Sequence, residues 1–207
     1  MASSVKLRPK ITRKIFFKPI SEIPGLENYT NYEMNQRGIL RNIETGLELK
    51  WHRTYVGCLR AEVSSNGIPK KILQHRALAC LFILNPLNLP EVDHIVSPRE
   101  EEIKKGYVKD NSLSNLRWCT RPENARNRGL STNNTSGYKN ICLAVNHGKP
   151  VWRIQVMVDD GKSKYAYFPR ETVEPPANVI AKRDAMLKQY HRDFANYGLQ
   201  TAGVSSQ

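Results

Sequence analysis

Val92-Asp93-His94-Ile95, Asn115-Leu116-Arg117-Trp118 and Pro122-Glu123-Asn124 are the three segments that decide the expected fold. The first joins an acidic residue to a histidine, and the second sets an amide before a Leu-x-Trp run. The third begins with a proline, which suits the first turn of a helix. Asn124 comes nine residues after Asn115. Polar side chains concentrate between residues 91 and 130, and the chemistry of the protein is expected there.

In this order the three segments resemble the HNH nucleases of the phage-intron homing-endonuclease type. The core of that family, called ββα-metal, carries an Asp-His pair, an Asn before Leu-x-Trp, and a Glu-Asn pair on its final helix. The resemblance implies such a core over residues 74–130. It also implies that His94 and Asn115 are the catalytic residues, with Asn115 holding the His94 loop. Asp93 and Asn124 are the implied metal ligands.

Hydrolysis of a phosphodiester needs a base for the attacking water and a cation that stabilises the departing alkoxide. An imidazole titrates near neutral pH, so His94 is the expected general base. One carboxylate and one amide are oxygen ligands, which suit a single Mg²⁺, with Mn²⁺ as a substitute, and not zinc. The resemblance therefore implies a Mg²⁺-dependent, site-specific DNA endonuclease of a phage or other mobile element. One active site per chain implies a nickase if the chain acts as a monomer, the state we expect.

The segment after His94 departs from the family pattern and keeps two alternatives open. Asn111 follows His94 by seventeen residues, a longer interval than the family's turn. The insertion adds negative charge near a site that has to admit a phosphate backbone, through Glu100, Glu101 and Glu102. One alternative is a catalytically silent nucleic-acid-binding protein, either a regulator or a ribonucleoprotein component. The other is RNA cleavage, although A-form RNA hides the major groove that a sheet could read.

The composition favours a polyanionic partner. The chain has 32 Lys+Arg against 19 Asp+Glu, a net charge of +13, and such an excess attracts nucleic acid or an anionic membrane surface. The apolar runs are far shorter than the roughly 20 residues that span a bilayer, and the first residues lack the pattern of a secretory signal. We therefore expect double-stranded DNA as the partner and no membrane insertion. The expected location is intracellular, the host cytoplasm if a phage encodes the protein, with an organelle transit peptide left open.

Two units are expected before the core. Residues 1–19 carry basic side chains and no acid, which predicts a basic arm that does not fold alone. Residues 20–73 alternate apolar runs with turn signals such as Asn66-Gly67, a typical hairpin pair, which predicts a small β-rich module. The stretch 25–42 resembles the small module that often precedes this nuclease core, and this resemblance implies DNA binding. A short buried helix over 75–83 is then expected.

After residues 131–137, which have the composition of a linker, the pattern changes to a second unit over 138–198, with a tail over 199–207. Three strand-like runs and a helix from about 176 to 197 predict a three-stranded antiparallel sheet packed on one helix. This unit resembles the plant ethylene-response-factor DNA-binding domain. The expected class of the chain is therefore α+β, a ββα-metal nuclease core followed by that sheet and helix. The predicted strands are 138–145, 151–158 and 163–168.

Eight basic or amide side chains are expected to contact DNA. Side chains alternate across a strand, so Arg153 and Gln155 share the face of the middle strand that its apolar residues leave free. In the ethylene-response-factor family the sheet lies in the major groove, where Arg reads guanine and Gln reads adenine. Lys139 and Lys164 are expected to contact phosphates, with solvated surface charges as the alternative. Four arginines near the core are expected to hold the DNA strand: Arg117, Arg121, Arg126 and Arg128.

Overall fold

The computed structural model describes residues 14–97, 100–130, 133–134, 136–158 and 161–198. Within these residues, eleven short strands form four antiparallel sheets, and four α-helices and three short 3-10 helices connect them. This mixed architecture of small antiparallel sheets and few helices confirms the α+β class at that level. Most of the expected arm, part of the expected linker and the expected tail lie outside the described residues. No helix in the described part is long and apolar enough to cross a membrane.

Two three-stranded sheets occupy the N-terminal part of the chain. Their strands are β1 (Phe17–Pro19), β2 (Tyr32–Asn35) and β3 (Leu40–Asn42) in the first, and β4 (His52–Arg53), β5 (Leu59–Ser65) and β6 (Ile68–Leu73) in the second. The hairpin predicted at Asn66-Gly67 joins β5 to β6, and the two residues have positive φ, 50° and 76°. Two successive residues of this conformation form the tight turn that matches the twist of a hairpin.

The end of the expected basic arm is a strand, which differs from the expectation. Phe17 lies beneath the guanidinium of Arg41, with 3.7 Å between the ring centroid and Cζ. The ammonium of Lys18 donates to the Leu81 carbonyl at 2.9 Å. The charge count predicted an unpaired segment, but an aromatic ring and a long-range hydrogen bond hold β1 against the rest of the fold.

The middle of the chain forms three helices and a hairpin. In chain order the elements are α1 (Gln74–Phe82), β7 (Glu91–His94), α2 (Glu100–Lys104), β8 (Leu116–Cys119) and α3 (Arg121–Arg126). β7 and β8 pair antiparallel, and α2 lies in the insertion between them. Thr120 and Glu123 form a capping box in which Glu123 Oε2 accepts from the Thr120 nitrogen at 2.7 Å. This reciprocal pair fixes the start of α3 directly after β8, so α3 packs beside β7.

One hydrophobic cluster joins the N-terminal sheets to this middle part. It contains buried residues of both, among them Met34, Val63, Leu78, Val92 and Leu116. α1 contacts β5 and β6 on one side and β7 and β8 on the other. Since β7 ends at His94, the position of that histidine depends on packing against the N-terminal sheets.

The insertion after His94 is anchored on the loop between β4 and β5. The Arg53 guanidinium donates to the Ile103 carbonyl at 3.1 Å, and the Lys109 nitrogen donates to the Gly57 carbonyl at 3.0 Å. Gly57 has a φ of 76°, and a Cβ there would lie 3.2 Å from Cγ1 of Ile103. The insertion therefore docks on the N-terminal part of the protein through backbone and side-chain contacts.

The C-terminal part is a sheet of β9 (Ile141–Asn146), β10 (Lys149–Met157) and β11 (Ser163–Pro169), with β10 in the centre and α4 (Ala177–His191) packed on it. Trp152, Ile154 and Val156 are buried with Leu187 of α4 in a separate cluster, which is the alternation expected of the middle strand. α4 ends before the expected position near residue 197, because Arg192 has a φ of 48° that a helix cannot continue.

The segment after α4 contacts the β7–β8 hairpin and the end of α3. Arg117 Nη1 donates to the Asp193 carbonyl at 2.8 Å, and its guanidinium stacks 3.7 Å from the ring centroid of Phe194. Asn196 donates to the Asn127 carbonyl at 2.8 Å. These contacts tie the C-terminal part of the chain to the hairpin that carries Asp93 and His94.

Candidate active site

Two carboxylate–amide pairs connect β7 to the helix α3. Glu91 and Asp93 lie on the same side of β7 because strand residues two apart share a face. Asn124 and Asn127 are three apart and therefore share a face at the end of α3. Asn124 Nδ2 donates to Glu91 Oε2 at 2.7 Å, whereas Asn127 Nδ2 donates to Asp93 at 3.0 Å for Oδ1 and 2.9 Å for Oδ2. The structure thus brings Asp93 to Asn127, and Asn124, the expected second metal ligand, to Glu91.

Asp93 is a buried carboxylate, 5% exposed, with a compensating cation. The strand register places Arg117 directly opposite it. Arg117 donates to Asp93 Oδ2 from Nε at 2.9 Å and from Nη2 at 2.8 Å. Such a two-pronged pair satisfies a buried charge that would otherwise be strongly unfavourable. Arg117, expected as a DNA contact, is thereby engaged inside the protein.

His94 is also buried, 5% exposed, at the end of β7. Its Nε2 lies 2.8 Å from Oδ1 of Asn111. Burial lowers the pKa of His94 below its ordinary value, and the Asn111 hydrogen bond offsets that effect in part. The ring of His75 lies 5.0 Å away, centroid to centroid, and burial together with the His94 charge lowers the pKa of His75 to about 4. Both imidazoles are therefore neutral at neutral pH, the form in which a histidine can accept a proton.

Asn115 connects the two ends of the insertion by hydrogen bonds. Its Oδ1 accepts from the Val96 nitrogen at 2.8 Å, and its Nδ2 donates to the carbonyls of Val96 and Asp110 at 2.9 and 2.8 Å. Its own carbonyl accepts from the Ile95 nitrogen at 2.8 Å. One side chain therefore holds both ends of the inserted segment together, directly beside His94.

The side chains near the end of β7 include oxygen ligands of the kind that a hard cation prefers. Asp93 and Glu91 carry carboxylates, and Mg²⁺ takes one or two carboxylates while it keeps several waters. Asn124 and Asn127 turn their nitrogens to these carboxylates, so either amide would have to rotate to present its oxygen to a cation. Burial, followed by the charges of Asp93 and Glu91, raises the pKa of the neighbouring Cys119 thiol to about 12. The described residues contain no group of three or more His, Cys, Asp and Glu side chains that could hold a metal ion.

Two comparisons with known proteins match this chain, and no family model does. Over 99 residues, 48% of the chain, the sequence is 32% identical to a protein of Acanthamoeba polyphaga mimivirus described as an uncharacterized HNH endonuclease. This part of the chain is similar to an HNH endonuclease. The chain spans only 27% of the length of that relative. A solved structure titled "DNA binding and cleavage by the HNH homing endonuclease I-HmuI" covers 73% of this chain and 77% of its own, at 25% identity and a TM-score of 0.42.

The sequence similarity to the mimivirus protein supports, over about half of the chain, the HNH resemblance that the sequence motifs predicted. It gives no support to the resemblances of the N-terminal module and of the ethylene-response-factor-like unit, which stay proposals. Sequence reasoning missed Asn127, Asn111 and Glu91 as members of this HNH-like site. Asn127 could have been found as the residue one helical turn after Asn124, and Glu91 as the residue that shares a strand face with Asp93.

The four arginines expected near the DNA strand have different surroundings. Arg121 has an 88% exposed side chain 3.3 Å from Glu91, and Arg128 is exposed as well. Arg126 is buried. Its carbonyl and that of Arg128 accept from the ammonium of Lys139 at 2.5 and 2.6 Å, and burial lowers the pKa of Lys139 to about 8. Arg121 and Arg128 therefore face solvent beside the site, while Lys139 bonds the end of α3.

In the C-terminal sheet, Arg153 and Gln155 lie half-buried on the face opposite Trp152. Their neighbours on β11 are Tyr167 and Tyr165, in register with Arg153 and Gln155 respectively. Lys164 is exposed but pairs with Val156 of the buried face. The register therefore puts Lys164 on the opposite side of the sheet from Arg153 and Gln155.

Proposed function

We propose that this chain is a site-specific DNA endonuclease of the HNH homing type, which hydrolyses a phosphodiester with one Mg²⁺ and with His94 as general base; Mn²⁺ substitutes for Mg²⁺. The observation that carries the proposal is the adjacency of two buried groups at the end of β7, the neutral imidazole of His94 and the carboxylate of Asp93. The sequence similarity to an HNH endonuclease over about half of the chain supports it.

His94 takes the proton of the attacking water in this proposal. Burial keeps the imidazole neutral, and Asn111 occupies Nε2 at 2.8 Å. The proton therefore goes to Nδ1 as the water oxygen attacks phosphorus. The bond to the 3′ oxygen breaks, and that oxygen leaves as an alkoxide that takes a proton from solvent water, which gives a 5′-phosphate and a 3′-hydroxyl. Asn115 holds the loop after His94 and so keeps the base in place.

Asp93 and an amide of α3 would hold the cation. Asn124 is the amide implied by the resemblance, and Asn127 is the amide that contacts Asp93. Arg117 holds Oδ2 of Asp93, and Oδ1 accepts only from Asn127 among the described residues. When bound, the ion supplies positive charge that stabilises the departing alkoxide.

Double-stranded DNA is the proposed substrate. The net charge of +13 supports it, and the exposed Arg121 and Arg128 lie beside the site, where they would contact phosphates. We assign sequence reading to Arg153 and Gln155 on the open face of the C-terminal sheet, in an ethylene-response-factor-like unit over 138–198. The β-rich module over 20–73 adds backbone contacts. A monomer with one active site would nick one strand.

A second candidate is a catalytically silent nucleic-acid-binding protein with the same architecture. It is favoured by the hydrogen bonds to Asp93, because Arg117 and Asn127 together make four contacts with its two oxygens. A carboxylate whose charge is already balanced by these hydrogen bonds binds a metal ion less strongly.

Cleavage of supercoiled plasmid tests the two candidates. The plasmid carries candidate sites from the genomic neighbourhood of the gene, and the reaction contains Mg²⁺ or EDTA, with DNA binding followed in parallel. We expect nicking that requires the metal and disappears in His94→Ala. A matched control is His147→Asn at an exposed turn, since Asn accepts the φ of 46° found there. Salt-sensitive binding without any cleavage would favour the silent protein.

A further inference from the structure

A chain of side-chain amides connects His94 to a backbone carbonyl of the N-terminal sheets. His94 Nε2 lies 2.8 Å from Asn111 Oδ1. Asn111 Nδ2 donates to Gln74 Oε1 at 2.6 Å, and Gln74 Nε2 donates to the Gly38 carbonyl at 3.1 Å. Gln74 is buried, 8% exposed, at the first residue of α1. The three hydrogen bonds cross from the N-terminal sheets through α1 to the end of the insertion and to the active-site strand.

Which atom donates in each of these hydrogen bonds follows from the Gly38 carbonyl at the end of the chain of amides. A backbone carbonyl only accepts hydrogen bonds, so the Gly38 oxygen requires the nitrogen of Gln74 to face it. The oxygen of Gln74 then faces Asn111, which must present its own nitrogen there. The oxygen of Asn111 is left to face His94, so Nε2 of His94 has to carry the hydrogen. In the neutral imidazole the lone pair then lies on Nδ1.

We propose that Gln74 and Asn111 are positioning residues that set the tautomer and ring orientation of His94. Their catalytic meaning rests on the proposed function, in which Nδ1 of His94 accepts the proton of water. The tautomer itself is a property of the folded chain and exists without substrate or metal. The N-terminal sheets thereby help to orient the His94 imidazole, although none of their side chains contacts that ring in the described structure.

The Gly38 carbonyl, at which this chain of amides ends, lies in a turn that several hydrogen bonds hold in place. Asn35, 1% exposed, holds the turn by accepting from the nitrogens of Arg37 and Ile39 at 2.9 and 3.0 Å. The Gly38 carbonyl also accepts from the indole of Trp51 at 2.8 Å. Gly38 has a φ of 81°, and a Cβ there would lie 2.6 Å from Nε2 of Gln74. Residue 38 therefore has to be glycine for the amide of Gln74 to reach its carbonyl.

Nuclear magnetic resonance of the full ¹⁵N-labelled chain, without added metal, tests the tautomer directly. We expect a protonated Nε2 and an unprotonated Nδ1 for His94 at neutral pH, with an Nε2 hydrogen that exchanges slowly with water. His94→Ala assigns these signals. Asn111→Ala should abolish the slow exchange, whereas Asn111→Asp cannot donate to Gln74 but keeps an oxygen acceptor toward His94 and should retain the hydrogen on Nε2. A protonated Nδ1 in the wild type, or an unchanged spectrum in Asn111→Ala, would overturn the proposal.

A pair of glycine substitutions tests the end of the chain of amides at Gly38, away from His94. Gly25 has a φ of 84°, close to the 81° of Gly38, and nothing lies within 4 Å of a Cβ at Gly25. Gly38→Ala and Gly25→Ala therefore carry the same backbone strain, but only Gly38→Ala displaces Gln74. We expect loss of the slowly exchanging Nε2 hydrogen in Gly38→Ala alone, and in Gln74→Leu, which serves if Gly38→Ala does not fold. If both glycine variants gave equal spectra and the spectrum of Gln74→Leu were unchanged, the proposed role of Gln74 would be overturned.

Cleavage kinetics separate this inference from the proposed function. Asn111→Ala should lower kcat on the order of 10–100-fold, the usual effect of losing a residue that orients an active-site histidine, with KM unchanged. Asn111→Asp should recover part of that loss. If the wild type cleaves no DNA, the proposed function fails while the tautomer result stands. If the wild type cleaves but the tautomer is reversed, the positioning role of Gln74 and Asn111 fails together with the assignment of Nδ1 as proton acceptor, while the endonuclease activity stands.

Discussion

The amide nitrogen of Asn127 lies 2.8 Å from the carbonyl of His94 and within 3.0 Å of both carboxylate oxygens of Asp93. One side chain at the end of α3 thus contacts the backbone of the residue that carries the proposed base and the carboxylate of the proposed metal ligand. Asn124, one turn earlier, contacts Glu91 instead. The end of α3, and not its middle, lies closest to the chemistry.

Substitution of the two amides distinguishes their roles. We expect Asn127→Ala to weaken Mn²⁺ binding by roughly 10–100-fold, since it removes the group that orients Asp93, and Asn124→Ala to weaken it less. Electron paramagnetic resonance of bound Mn²⁺ measures both constants. A larger effect of Asn124→Ala would show that the order implied by the family resemblance is the correct one.

Removal of Arg117 should destabilise the protein strongly. Its guanidinium contacts the buried Asp93 at 2.8 Å with a side chain 19% exposed, and loss of one partner of a buried pair costs about 3–5 kcal/mol. Arg117→Ala should therefore lower the free energy of unfolding in urea by about that amount.

Arg121→Ala is the control for Arg117→Ala, because it removes an arginine whose side chain is 88% exposed and lies 3.3 Å from Glu91. Exposed pairs contribute about 0–1 kcal/mol. Similar losses in both variants would contradict the structural role of Arg117.

The free energy of unfolding should fall as the pH is lowered from 6.5 toward 4. Burial lowers the pKa of His75 to about 4 in the folded chain from 6.5 for an exposed histidine, so the unfolded chain binds more protons in this window and stability rises with pH. The shift corresponds to at most about 3 kcal/mol, and to less for a ring that solvent partly reaches. His75→Phe keeps a ring without a titrating nitrogen, so urea unfolding at several pH values should show a smaller slope. An identical slope would exclude His75 as a source of the effect.

Local patterns predicted much of the fold. The alternation of Trp152, Ile154 and Val156 is a period-two signal that depends on neighbours in the sequence, and it predicted the buried face of β10. The turn at Asn66-Gly67 is equally local. The end of α4 was mispredicted because apolar spacing continues through Phe194, while the chain turns at Arg192 through a positive φ that no periodicity reveals.

The sequence predicted only those residues of the site that belong to a recognisable motif. The motif named Asp93 and His94 as neighbouring site residues, and the structure has both on β7. Long-range contacts were not accessible: Asn111 reaches Gln74 across 37 positions, and Arg117 turns inward because the hairpin register sets it opposite Asp93. Such pairings depend on how the hairpin and helices pack, which no short stretch of sequence contains.

The two faces of the C-terminal sheet should respond differently to alanine. Arg153 lies on the open face beside Gln155, whereas Lys164 is in register with the buried Val156 and lies on the other side. Arg153→Ala should therefore relax discrimination at one base pair, at a cost of about 1–3 kcal/mol for the preferred site. Lys164→Ala, on the side that α4 covers, should leave the affinity unchanged, whereas loss of one phosphate contact would lower the slope of log K against log salt by about 0.9. Competition binding at several salt concentrations measures both quantities. Equal loss on specific and random DNA in Arg153→Ala would remove that arginine from sequence reading, because a phosphate contact carries no information about the base.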